Sequence, residues 1–163
     1  MSTATLHYIH DPLCGWCYAA QPLVGAALAQ LGGRLALRLY GGGLFGEPHQ
    51  VDAGLVRHIV HSGERIAQLS GQPFGEAYRQ GELAEEIGLD GARFASAFGA
   101  TDGHAVFEHV QASRRLLDEF GGRGFPTLLL ETGGRHALLP HHHHYGRPDA
   151  FVQTLAAQLP ALH

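Results

Sequence analysis

Cys14 and Cys17 are the only cysteines in the 163-residue chain. They stand together in YIHDPLCGWCYAAQPLVGAALAQLGG, residues 8 to 33, with the single tryptophan, Trp16, between them. When the first cysteine of a C-x-x-C pair opens a helix, the two sulfurs lie one turn apart. The unpaired amide donors and the positive end of the helix dipole then favour thiolate at the first sulfur. Cys14 is in that position an exposed nucleophile. Cys17, one turn inside, is shielded and can attack the mixed disulfide that Cys14 forms. Dithiol–disulfide exchange is the chemistry this arrangement serves. Two other uses remain: half of a zinc site, whose further ligands would have to be histidines because there is no third cysteine, and a pair of inert buried thiols.

Such a pair needs a strand to deliver it and a helix to receive it. TLHYIHD alternates and is rich in aromatic and β-branched residues, which predicts a strand over residues 5 to 10. Ala19, Leu23, Ala26, Ala27 and Leu31 recur at helical spacing, predicting a helix over residues 14 to 31. Pro22 should kink that helix and Gly32-Gly33 should close it. RLALRLYGGGL gives a second strand, 34 to 40, so the opening is a β-α-β crossover with parallel strands. Residues 50 to 120 carry three-to-four periodicity punctuated by glycine, predicting four or five helices, among them PFGEAYRQGELAEEIG and DGARFASAFG. A hairpin of strands 126 to 131 and 135 to 139 follows. RPDAFVQTLAAQLPAL supplies a last amphipathic helix with Pro148 in its first turn.

Composition narrows the function classes. Apolar residues make up 45% and charged residues 16% of the chain, which suits a folded domain. A net charge of −4 gives no reason to expect nucleic acid or an anionic membrane as partner. No run of residues is long enough to span a membrane, and MSTATLHYIHDP does not read as a signal peptide, so a cytoplasmic protein is expected. In that reducing setting a lone cysteine pair is better explained by redox or metal chemistry than by a structural cross-link.

DPLCGWCYAAQP, the β-α-β opening, the helical block and the later GFPT together resemble the DsbA branch of the thioredoxin superfamily, in particular its cytosolic, FrnE-like bacterial members. The resemblance covers residues 5 to 50 and 105 to 160. It implies an α/β thioredoxin-like fold formed by residues 1–48 and 105–163, with 49–104 as a helical block inserted between the β-α-β and β-β-α halves. Set against relatives, the insertion looks short near Gly81–Glu82, either naturally trimmed there or lacking a segment. The resemblance also implies that Cys14 attacks, Cys17 resolves, and Pro126 is the cis-proline facing them. Phe125, Thr127 and Trp16 would then contact substrate. The implied activity is protein-disulfide oxidoreductase, with protein or peptide disulfides and thiols as partners, glutathione among the candidates, and neither cofactor nor metal.

The match is not complete. Gly15-Trp16 stands where thioredoxin has Gly-Pro and FrnE-like relatives have Pro-Trp, so the direction of the redox chemistry stays open. There is no lysine in the chain. The acid–lysine pair beneath the motif in thioredoxin is therefore missing, and the proton for Cys17 would have to move through His10, Asp11, Glu47 or water. Two other readings stay in view. One is a glutathione-dependent isomerase or transferase of the kappa and 2-hydroxychromene-2-carboxylate isomerase type; the paired cysteines argue against it, since that class uses a serine or one cysteine. The other is a non-catalytic binding module. Among the thirteen histidines, His141 to His144 read as a solvated loop able to take up metal adventitiously, and His58 with His61 as a wet helix face. YGGGLFG, 40 to 46, lacks the phosphate-loop pattern and reads as a loop whose backbone can approach the cysteines.

Overall fold

The computed structural model describes residues 4–44, 53–74 and 103–159. β1 (Ala4–His10) leads into α1 (Gly15–Leu31), and a single 3-10 turn connects α1 to β2 (Leu35–Gly41). α2 (Ala53–Ser70) and α3 (Gly103–Glu119) come next. The hairpin of β3 (Thr127–Thr132) and β4 (Arg135–Leu138) and the closing helix α4 (Pro148–Ala156) complete the order. The four strands form one sheet in the order β2-β1-β3-β4. β1 runs parallel to β2 and antiparallel to β3, and β3 is antiparallel to β4. This is the expected crossover followed by the expected hairpin. Of the predicted helical block, α2 and α3 are present. The helices expected from GEAYRQGELAEEIG and DGARFASAFG, together with Glu47 and Gly81–Glu82, lie outside the described residues.

One face of the sheet carries Ala4, Leu6, Tyr8, Leu35, Leu128 and Leu130, packed against Leu23, Val24 and Ala27 of α1 and Phe151, Val152 and Leu155 of α4. The alternation read in β1 sorts its side chains between faces but does not mark a wet side: Leu6, His7, Tyr8 and Ile9 are all buried. β1 and β3 are the two inner strands, and a strand covered on both faces buries both of its side-chain sets. α1 continues through Pro22, and its last turn ends at Gly32 with φ +47°, where a side chain would be strained. Pro148 opens α4, where its missing N–H has no helical partner to lose.

Candidate active site

β1 ends at the level of the N-terminus of α1, so the crossover itself places Cys14 just beyond the C-terminal end of this inner strand. Cys14 is the N-cap of α1, with extended backbone (φ −93°, ψ 109°) and no side-chain cap bond of its own. The Cys17 amide donates to the Cys14 carbonyl at 2.9 Å, and the first-turn amides of Trp16 and Cys17 place their positive ends near the Cys14 sulfur. The Cys14 thiol is pulled down to about 7, first by a hydrogen bond from the Cys17 thiol and then by those two amides. Partial burial and the charge of Asp11 work against the shift. Cys17 goes the other way. It is 4% exposed, and its thiol is pushed up because it donates to Cys14 and because burial penalises its charge. The two sulfurs are both free thiols, and their environments separate one drawn toward thiolate from one held protonated.

Asp11 fixes the loop before the helix. Its carboxylate accepts from Leu13 N at 2.9 Å and from Leu44 N at 2.7 Å, while its carbonyl accepts from Cys14 N at 3.1 Å. Its own amide donates to Cys17 Sγ at 3.4 Å. Of the sequence candidates for moving the Cys17 proton, Asp11 thus has its carboxylate engaged by two backbone amides. His10 is held below the ordinary imidazole range, chiefly by burial, and its ring stacks on Tyr8 at 4.9 Å.

The loop before β3 faces the thiols. The Phe125–Pro126 peptide bond is cis, and the Cys14 thiol donates to Phe125 O at 3.4 Å. The Phe125 ring lies on Gly42, where a Cβ would come within 2.2 Å of it. The glycine-rich loop after β2 therefore does let backbone approach the site, with Phe125 as the group it admits. Arg114 ties that loop to α3 by donating to the carbonyls of Gly42 and Gly43. Thr127 is buried, and its hydroxyl donates to Gly124 O at 2.7 Å, so its side chain shapes the loop and any substrate contact would fall to its backbone. Trp16 is half-buried, its ring 5.3 Å from that of Tyr145. Leu13, 64% exposed beside Cys14, adds an apolar surface. A groove of about 250 Å³ runs along Phe125, lined by Leu44, Arg114, Leu117, Asp118, Arg123 and Gly124.

Two tyrosines at the site were not foreseen. Tyr8 OH donates to Cys17 O at 2.8 Å, and its hydroxyl is pushed well up, first by burial and then by the two sulfurs. Tyr145 OH donates to Trp16 O at 3.4 Å and is raised by burial and the same sulfurs. Tyr8 is on an inward-facing position of β1 six residues before Cys14, a placement the strand pattern could have supplied. Tyr145 follows the histidine run from across the chain and carries no local signal. Within that run His142–His144 form a single 3-10 turn. Gly15 is explained by packing: a Cβ there would lie 3.0 Å from Ile66 of α2 and 3.3 Å from Phe74.

No protein-family model matches the chain. No curated protein matches it. Among solved structures, the cytosolic disulfide reductase DsbM from Pseudomonas aeruginosa is 34% identical, covering 94% of this chain and 98% of its own, with a TM-score of 0.76. The same reductase with GSH is 35% identical over the same shares, with a TM-score of 0.73. A protein from Nitrosomonas europaea described as a candidate protein disulfide isomerase shares the fold at 19% identity, with 95% of this chain and 97% of that one covered and a TM-score of 0.67. Fold and cysteine pair together define a thioredoxin-like thiol–disulfide oxidoreductase. The chain belongs to the DsbA family and, within it, groups with the DsbM-type disulfide reductases.

Proposed function

We propose that this oxidoreductase works as a cytoplasmic disulfide reductase in which Cys14 is the nucleophile, Cys17 the resolving thiol, and glutathione the small-thiol partner. The observation that carries the reading is the division between the sulfurs: one half-exposed at a helix cap and drawn down to about 7, the other buried and held protonated. Cys14 thiolate attacks a substrate disulfide, forming one S–S bond and releasing the first substrate thiolate. Cys17 attacks Cys14 Sγ, its proton passing to the departing second substrate sulfur, which leaves as a thiol and leaves the Cys14–Cys17 disulfide behind. Two glutathione thiols then reduce that disulfide and leave as oxidised glutathione.

Phe125, with Pro126 holding its backbone beside Cys14, offers main-chain pairing to an extended substrate. Trp16 and Leu13 supply an apolar platform. The arginine-bearing groove along Phe125 suits the carboxylates of a glutathione tripeptide. Glutathione and the cytoplasm come from the likeness to the reductase above, one of whose structures holds GSH.

The test is capture of the intermediate. Cys17→Ser incubated with oxidised glutathione should accumulate one glutathione per chain on Cys14 by intact mass, while the wild type passes on to its internal disulfide. Absence of the adduct, or equal accumulation in both proteins, sinks the two-step mechanism.

A further inference from the structure

The sheet face opposite α1 carries a second group of side chains whose types suit chemistry, and thiol exchange makes no use of it. His7 of β1, Glu131 of β3 and His136 of β4 project on the same side: Thr5 pairs with Glu131 and Glu131 with His136, and His7 lies two residues beyond Thr5. His7 Nε2 is 2.8 Å from Glu131 Oε2, and His136 Nε2 is 3.7 Å from the same oxygen. The three donor atoms all lie within 4.8 Å of one another.

We propose that His7 Nε2, Glu131 Oε2 and His136 Nε2 form a binding site for one divalent transition-metal ion, Zn²⁺ in the first instance. Tetrahedral zinc with bonds of about 2.0–2.2 Å places neighbouring ligand atoms about 3.3–3.6 Å apart, and the two separations above bracket that range. Two imidazoles and one carboxylate are borderline-to-hard donors that favour zinc over calcium or magnesium. His7 is 3% exposed, and its other nitrogen, Nδ1, lies 3.0 Å from Tyr40 OH. In the metal-bound form Nδ1–H donates to that hydroxyl, the outer contact that fixes a ligating imidazole in its tautomer and orientation. Without metal, Nε2–H points at Glu131 and Tyr40 OH donates to Nδ1, so loading moves the imidazole proton from one nitrogen to the other and reverses the tyrosine bond. His136 and Glu131 are part-exposed, at 23% and 33% of their side chains, which leaves an entry path and room for water as a fourth ligand. Arg38, on β2, is the nearby charge that opposes a cation by its field at Glu131. The site would join β1, β3 and β4 on the face away from the thiols.

The test uses the full chain carrying Cys14→Ser and Cys17→Ser, which removes the thiols as competing ligands. Zinc is titrated against a chromophoric chelator, with Co²⁺ as a probe of coordination geometry. One Zn²⁺ per chain is expected, with a four-coordinate Co²⁺ spectrum. Binding should be lost in His136→Ala and in the fold-conserving Glu131→Gln, and weakened about 10- to 100-fold in Tyr40→Phe. It should be unchanged in His142→Asn/His143→Asn. Failure to bind zinc overturns the proposal. So does binding that survives both His136→Ala and Glu131→Gln, and binding that disappears with the two surface histidines. Unchanged affinity in His7→Asn removes His7 from the ligand set and overturns the three-residue site.

Discussion

The Cys17→Ala variant tests the site's central asymmetry, because the leading cause of the low Cys14 thiol is the hydrogen bond from Cys17. Removing that donor leaves the Trp16 amide and the residue-17 amide in place, while burial and Asp11 keep pushing upward. The Cys14 titration should therefore rise from about 7 by at least about one unit. Iodoacetamide alkylation of the reduced protein, followed across pH 5 to 10, reads this directly. A one-unit rise cuts the thiolate fraction at pH 7 from about a half to about a tenth. The more basic thiolate is intrinsically about threefold more reactive, since nucleophilicity falls with pKa at a slope of about 0.4–0.5. The rate at pH 7 should thus drop only about twofold, whereas the high-pH plateau should climb about threefold. Cys17→Ser, which keeps a hydroxyl donor, should fall between. A profile that stays centred near 7 in Cys17→Ala refutes the hydrogen bond as the cause. A wild-type profile centred on the ordinary thiol range removes the activated nucleophile altogether.

Asp11→Asn should move that profile downward, because the carboxylate charge raises both thiols. The amide has one acceptor oxygen for two loop N–H groups, so the same variant should lose about 1–3 kcal/mol in urea unfolding; an upward shift would show that loop geometry outweighs charge. Gly42→Ala should impair disulfide reduction while leaving Cys14 alkylation near wild type, since its Cβ would displace the Phe125 ring rather than the thiol. Equal loss in both assays would contradict this. Ionisation of Cys14 should also stabilise the reduced protein as pH rises toward the unfolded thiol range, above which the raised Cys17 thiol opposes the gain. The folded Cys14 thiol titrates near 7, below its unfolded value of about 8.5, so its contribution is present above the unfolded value and lost as pH falls through 7. Thermal melts of reduced wild type and Cys14→Ser, compared between pH 6 and 9, should diverge toward the alkaline end.

How far the sequence could be read depended on how local each cause was. Cys14, Cys17 and the strand–helix order around them were legible because capping, helix dipole and periodicity all act within a few residues. Pro126 and Phe125 were placed by likeness of motif, since no local rule distinguishes a proline facing a thiol from one that starts a strand. Tyr8 and Tyr145 escaped because their importance lies in where their hydroxyls end, one on the Cys17 carbonyl and one on that of Trp16. The burial of His7 followed from sheet order, which sets β1 between two neighbours, and alternation along one strand cannot report its neighbours. The cluster with Glu131 and His136 joins residues up to 129 positions apart, from 7 to 136, where ligand spacing has no meaning.

Depth of the thiol also bears on the direction of electron flow. A thiolate stabilises the dithiol form, and the gain at pH 7 depends on how far its pKa lies below 7. With Cys14 at about 7 the gain is about 10 mV, whereas the value of about 3.5 in DsbA itself corresponds to about 100 mV. Solvent screening at a half-exposed sulfur reduces the smaller figure further. The strongest lever toward an oxidising potential is thus little used here, and the couple should lie near the glutathione pool, about −220 to −260 mV, rather than at the roughly −120 mV of DsbA. Equilibration against reduced and oxidised glutathione, followed by the fluorescence of Trp16, measures it, with the signal lost in Cys14→Ser. A midpoint above about −150 mV would mean that something other than the Cys14 thiolate stabilises the reduced pair, and it would reverse the assignment as a reductase.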